Sequence, residues 1–421
     1  MASQHKYDVV VFGATGYTGK KCAAHLSKHP GSPRWAIAGR SSSRLESLRK
    51  ELSLSSDVGT IVADTFDAAS VRSMVTQAKC LMNVVGPFRL LGGEAIATAC
   101  VEAGTHYLDL SGETLFNASL IENLGEKAKQ KGVILAPSVG LDSLPFDLAT
   151  YLAVQQLKKT GAQVGRVDTA FVAKGSLSGG TILSACDMAE VDRDQLLDVR
   201  PDWLSPLKGA YEPIRFGAAM WMPQFRRYGI HTPFTPHNHR IVNLSHGLLE
   251  QSKSEEAYGP KFSYRDAFVV PGPRPLVFLI GYFLQFVLLC QVHLAPVRWA
   301  LRKILPPNYG LSDEKLRYPH AFLDVRAVAY PAGASGSSTA GAAEARLYIP
   351  HDGGYVGAAE MMSEAALLIA EGTGLSKLAK QGGVLTGATI GAKGLVERLT
   401  RYADFKFDIG PYKDRDSKKT K

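Results

Sequence analysis

Five cysteines in 421 residues are all the chain offers for disulfide or thiolate chemistry. Cys22, Cys80, Cys100, Cys186 and Cys290 are far apart, odd in number and free of any CxxC pair. That pattern excludes a disulfide framework and a zinc knuckle, and it suits a reducing compartment. A targeting segment is also lacking. Polar residues Met1–Lys6 run straight into an apolar strand, so no signal or transit peptide is expected. No Ser-His-Asp order and no metal-ligand spacing stands out. His231, His237, His239 and His246 fall within 16 residues, but without a cysteine or clustered carboxylate nearby. They read as a surface loop, and no metal is expected. The Tyr-x-x-x-Lys proton relay of short-chain dehydrogenases is missing too, since Tyr151 has Gln155 four residues on.

Acidic residues are in deficit, 39 against 48 basic, for a net charge of +9. The excess predicts an anionic partner. Basic residues cluster only at Arg298–Lys303 and Lys413–Lys421. A phosphorylated cofactor or a membrane surface is therefore expected, and no nucleic acid. Hydrophobic residues at 45% and charged residues at 21% describe a globular chain with room for two domains.

What is present begins at Tyr7–Phe12, an apolar run, followed by Gly13-Ala14-Thr15-Gly16-Tyr17-Thr18-Gly19 and a helical pattern from Lys20 to His29. Strand, glycine turn and helix together aim backbone N–H groups and a positive helix end at a pyrophosphate. Gly13 allows the sharp turn, Gly16 the approach of the phosphates, and Gly19 close packing of helix on strand. A second strand, Trp35–Gly39, ends at Arg40, flanked by Ser41 and with no acidic competitor. An acidic residue there would hold a ribose hydroxyl, whereas arginine accommodates a 2′-phosphate. The expected cofactor is NADP(H) rather than NAD(H).

Asp64, at the end of the third strand, faces the adenine or caps the helix expected over 67–77. Val85-Gly86-Pro87 ends the fourth strand and suits a loop along the nicotinamide. Glu113 follows the fifth strand, and Asp142 the sixth. These two carboxylates are the candidates for proton handling or substrate positioning, although Asp142 serves equally as an N-cap for the helix beginning near Pro145. The alternation predicts an α/β, Rossmann-type, doubly wound parallel sheet over residues 1–147. From 148 to 412 extended segments recur without regular helices, which predicts an α+β domain with a mixed or antiparallel sheet. It includes a helix over 358–370, with glutamates 360, 364 and 371 on one face and Met361, Ala365 and Leu368 on another. Residues 413–421 form a charged tail expected to be disordered.

Residues 275–297 carry no charge. Their length reaches the ~20 residues of a membrane span, but Gln285, Gln291, His293 and the limiting prolines favour shallow insertion. Aromatics 278, 282, 283 and 286, with Arg298, Arg302 and Lys303 behind, suit a headgroup boundary. The alternative is a buried core helix.

The chain resembles the saccharopine dehydrogenase-like oxidoreductases, a group that includes the bacterial trans-acting enoyl reductases. The resemblance rests on VVVFGATGYTG (9–19), WAIAGRS (35–41), NVVGPF (83–88), ACVEAGTHYLDLSGE (99–113) and GLDSLPFDL (140–148). In the second half it rests on GGTILSA (179–185), GYVGAAEMM (354–362) and GGVLTGA (382–388). It implies an NADP(H)-dependent oxidoreductase, with Gly13, Thr15, Gly16, Thr18, Gly19 and Arg40 touching the cofactor and Val85, Gly86 and Pro87 on the nicotinamide side. It also implies that 275–297 meets a lipid droplet or the cytoplasmic face of an intracellular membrane. No arginine set for a dicarboxylic amino acid is evident. The expected substrate is instead lipid-like, with an enoyl or keto group on a long chain. The alternative is a non-catalytic nucleotide-binding scaffold or sensor at a lipid surface. A homodimer is left open.

Overall fold

The computed structural model describes residues 5–175, 219–304, 314–334 and 338–413, with 186, 189, 190, 198, 200–208, 211 and 214 in between. The GGTILSA motif and tail residues 414–421 lie outside the described residues, as does the middle of the Gly/Ser/Ala segment 331–343.

Strand β1 (Tyr7–Phe12) is buried on both faces, as its unbroken apolar run requires of a central parallel strand. Helix α1 (Tyr17–Ser27) returns along the sheet on a stripe of Cys22, Ala23 and Leu26. The alternation continues through β2 (Trp35–Gly39), α2 (Ser42–Glu51), β3 (Gly59–Val62) and α3 (Ala68–Val75). It goes on through β4 (Ala78–Asn83), α4 (Gly93–Ala103), β5 (His106–Asp109), α5 (Thr114–Gln130), β6 (Ile134–Ala136) and α6 (Leu144–Lys158). Gly92 and Gly104 bracket α4 with φ of 76°, a left-handed conformation that glycine adopts without strain. The strands pair in parallel in the order 6-5-4-1-2-3, a doubly wound sheet as expected.

The second sheet is mixed, again as the sequence indicates. It uses β7 (Val164–Lys174), β8 (Met220–Met222), β9 (Arg227–Ile230), β10 (Ser263–Val269), β11 (Phe322–Pro331) and β12 (Ala343–Ile349). Only β7 and β10 pair in parallel. Helix α7 (Thr235–Gln251) lies beneath β10, while α8 (Arg274–His293) and α9 (Ala295–Ile304) ride outside. The chain then re-enters the first sheet. Helix α10 (Val356–Glu371) packs on α1, β1 and β4, and β13 (Gly383–Val384) adds a seventh parallel strand beside β6. Helix α11 (Gly387–Tyr402) and edge strand β14 (Lys406–Pro411) complete the fold. One apolar core runs through both sheets, from Val9 and Val11 through Phe146 and Met361 to Val325 and Leu347.

Two local expectations change. Helix α10 is not amphipathic: Glu364 is fully buried alongside Met361 and Ala365. His25 Nε2 at 2.6 Å, His29 Nε2 at 3.3 Å and Arg398 Nε at 2.9 Å surround its carboxylate. Burial raises this carboxyl, but those neighbours outweigh it and hold it at about 2. The four histidines are not on a surface loop either. His237, His239 and His246 lie in α7, His231 lies just ahead of it, and all four are buried.

Candidate active site

The carboxyl ends of the parallel strands gather the predicted residues along one rim, where ligands bind in open α/β sheets. Gly13 turns the chain at φ 89°, and a Cβ there would lie 2.8 Å from Val85 Cγ2. A Cβ on Gly19 would fall 2.8 Å from Ala14 Cα, so this position admits only glycine without a shift of backbone. The first turn of α1 holds no acidic residue, and no side chain caps it at Gly16. Its positive end is thus available to an anion. Arg40, directly after β2, is exposed and makes no hydrogen bond or ion pair among the described residues. Ser41 caps α2 by accepting the Arg44 N–H. A free guanidinium beside a helix start is suited to a phosphate.

Asp64 does not cap α3. That cap is Asp67, which accepts the N–H groups of Ala69 and Ser70. Asp64 instead closes a local turn by accepting the Phe66 N–H at 3.0 Å. After β4, the buried Asn83 accepts the Val85 N–H at 3.1 Å and donates to Tyr107 Oη at 3.1 Å, which fixes the start of the nicotinamide loop. Gly86–Pro87 is cis.

The two candidate carboxylates prove different in kind. Glu113 is buried, and its two oxygens accept the N–H groups of Phe88 and Arg89 at 2.8 and 2.9 Å. Burial raises its carboxyl despite those donors. Its capacity is spent on holding the loop after β4. Asp142 is not an N-cap, since α6 is preceded by Ser143. It makes no hydrogen bond or ion pair among the described residues, and although the residue is only half-buried, the packing around it pushes its carboxyl up, to about 7. It lies against the β5 loop, where a Cβ on Gly112 would be 3.7 Å from its Oδ2. Next to it, Leu141 neighbours Gly354, and the following Tyr355 meets the Tyr17 ring edge-on at 5.1 Å. The GYVGAAEMM motif therefore arrives at the nucleotide loop from the far end of the sequence.

Sequence reasoning missed a buried network behind this rim. Ser138 Oγ donates to Ser111 O at 2.6 Å and receives Asn117 Nδ2 at 2.8 Å. His237 spans from Ser138 Oγ (3.0 Å) to Thr114 Oγ1 (3.1 Å), and Arg240 donates to Thr114 at 2.9 Å. Burial, with Arg240 nearby, pushes His237 down to about 3, so it is a neutral hydrogen-bonding strut between α7 and the rim. The only advance signal was its place in the histidine-rich stretch.

Residues 9–135 match the family model of the saccharopine dehydrogenase NADP-binding domain. A Mycobacterium tuberculosis protein named "Putative trans-acting enoyl reductase" is 32% identical, over 94% of this chain and 96% of its own. The chain belongs to the saccharopine dehydrogenase-like oxidoreductases. The mouse saccharopine dehydrogenase-like oxidoreductase is 36% identical over 37% of this chain and 39% of its own. Apo saccharopine dehydrogenase (L-Glu forming) from Saccharomyces cerevisiae superposes with a TM-score of 0.53 at 10% identity, covering 96% of this chain and 99% of that one, and shares the fold.

This oxidoreductase is thus NADP(H)-dependent, and its rim fits that cofactor: glycines that leave room at the turn, an uncapped helix start and an unengaged Arg40. The Gly13–Gly19 loop and α1 would hold the pyrophosphate, Arg40 and Ser41 the 2′-phosphate, and Val85-Gly86-Pro87 the nicotinamide side. When bound, the cofactor supplies or accepts a hydride. The chain's own part is to fix the loop through Asn83 and Glu113 and to offer Asp142 as the one unengaged carboxyl of the pair.

Proposed function

We propose that this oxidoreductase uses NADPH to reduce an enoyl or keto group on a long-chain lipid at a membrane or lipid-droplet surface. The observation that carries the lipid reading is helix α8. Its Leu279, Phe283 and Phe286 are 63–65% exposed, and Phe278, Tyr282 and Leu276 join them on the open side. A buried core helix would not look like this. The opposite side is seated on the body, with Val277, Ile280 and Leu284 against Ile230 and Val270. A helix of 20 residues is about 30 Å long, enough to cross a bilayer. Held against the sheet on one side, it suits insertion into one leaflet instead. Arg298 and Arg302 are less available for headgroups than their position in the sequence suggests, since both pair with Glu190. Lys303 and Arg274 are the remaining candidates.

Hydride addition to such a substrate leaves a centre that takes up one proton, and Asp142 supplies it. A carboxyl held near neutrality is matched to that task. Enoyl reduction is also what the mycobacterial relatives are named for. The test is turnover. The full chain, in mild detergent with fractionated lipid extracts and deuteride-labelled NADPH, is expected to oxidise the cofactor and leave deuterium in a lipid product. Tight NADPH binding with no label transferred to any lipid fraction would sink the reading.

A further inference from the structure

On the flank of α7 that faces away from the nucleotide rim, three side chains from separate elements converge. His231 follows β9, His239 opens the second turn of α7, and Asp266 stands in the middle of β10. All three are buried, and one ligand-type atom from each falls within a 4.8 Å cluster. His239 Nε2 is 3.5 Å and His231 Nδ1 3.8 Å from Asp266 Oδ1. Hydrogen bonds between such atoms run to about 2.7–3.2 Å. Two ligands on a tetrahedral zinc, each about 2.0–2.2 Å from the metal, stand roughly 3.3–3.6 Å apart. The observed spacing fits the second arrangement better than the first.

Hydrogen bonding points the same way. Neither His239 ring nitrogen and not the Oδ1 of Asp266 finds a hydrogen-bond partner, although each is sealed from solvent. Leaving such groups sealed from water and unsatisfied is costly, so a ligand belongs among them. The other Asp266 oxygen is already fixed, accepting Asn238 Nδ2 at 3.0 Å, as an outer partner orients a metal-binding carboxylate. Asn238 Oδ1 and Tyr264 Oη are two more buried, unpartnered polar atoms on residues of this shell, and the Tyr264 ring meets that of His239 at 4.8 Å.

We propose that His231, His239 and Asp266 bind a divalent transition-metal ion, zinc being one that takes two imidazoles, a carboxylate and a water. The ion clamps the start of α7 to β10. His237, two residues before His239, projects from the other flank of that helix to Ser138. The clamp therefore steadies the strut that braces the catalytic rim, while the ion itself stays out of the reaction.

The test uses the full chain, expressed in zinc-supplemented medium, freed of any affinity tag and purified without chelator. Elemental analysis is expected to find about one zinc per chain, falling to trace levels in His239→Ala and Asp266→Asn. Zinc-edge X-ray absorption of the unmutated protein needs no variant to fold, and it should count two imidazoles and no sulfur. The proposal is overturned by a chain that carries no metal as isolated and takes up none on titration with Zn²⁺. Variants that retain the zinc, or a shell containing sulfur, overturn it equally.

Discussion

Glu113 Oε1 accepts the backbone N–H of Phe88 at 2.8 Å, across 25 residues of sequence. A carboxylate from the loop after β5 thereby fixes the loop after β4, with the Phe88 and Phe116 rings stacked beside it at 5.8 Å. In Glu113→Gln an amide NH₂ would face one of the two N–H donors. The loss of stability should be about 1–3 kcal/mol, the cost of an unsatisfied buried donor. Amide hydrogen exchange at Phe88 and Arg89 should speed up and the KM for NADPH should rise. Unchanged exchange at those two amides would show that the contact does not hold the loop.

As the proposed proton donor, Asp142 should set the pH dependence. Its folded-state carboxyl keeps a proton up to about pH 7, whereas its ordinary value is 3.8. The acid form is present below about pH 7, so kcat/KM should decline above it. Asp142→Asn should remove that limb and lower kcat by roughly 10²-fold or more. Stability falls in the same direction, over a lower pH window. Between 3.8 and about 7 the folded state binds more protons than the unfolded one, so rising pH weakens the fold through this group. The variant's Tm should therefore gain on the unmutated chain on the alkaline side of that window. A pH profile with the same limb in both proteins removes Asp142 from the proton-donor role.

Arg40→Ala should weaken NADPH binding about 10- to 100-fold, the worth of a charge-assisted phosphate contact of ~1.5–3 kcal/mol, and leave NADH binding nearly untouched. Parallel titrations with the two cofactors check this, and an unchanged preference would exclude Arg40 from selection.

Replacing Phe278, Phe283 and Phe286 with serine should abolish flotation with phosphatidylcholine vesicles while leaving NADPH affinity intact, since these rings are exposed and distant in sequence from the nucleotide loop. Retained flotation would assign the lipid contact elsewhere.

Arg398→Ala removes one of the three groups around the buried Glu364 carboxylate and leaves His25 and His29 in place, so the loss should stay below the ~3–5 kcal/mol of a fully broken buried pair. Glu364 itself, held at about 2 in the fold against an ordinary 4.5, contributes stability above that range which is lost as pH falls through it. Denaturant unfolding of the variant should show the deficit at neutral pH and a smaller one in acid. Equal deficits at both would mean that the pair is not what fails.

The nucleotide half was legible because its signals are local. Parallel strands buried on both faces read as apolar runs, and the turn after β1 needs glycine where a Cβ would strike Val85 or Ala14. What escaped depends on partners far along the chain. Glu364 looked like a solvent-facing glutamate because His25, its partner, lies 339 residues away. Asp142 looked like a cap because nothing local says that α6 starts at Leu144 or that the carboxyl is left half-buried without a partner. The histidines looked exposed because Ser138, Thr114 and Asp266 come from other elements. The seventh parallel strand is two residues long, too short for any periodicity to register.

That short strand bears on how the protein is made. Gly383 donates to Val133 O and Leu385 to Leu135 O, both at 2.8 Å, and β13 thereby closes the outer edge of β6. During translation that edge stays bare until Gly383 emerges from the ribosome, and bare strand edges recruit other strands. The arrival of Tyr355 and α10 at the nucleotide loop belongs to the same late event.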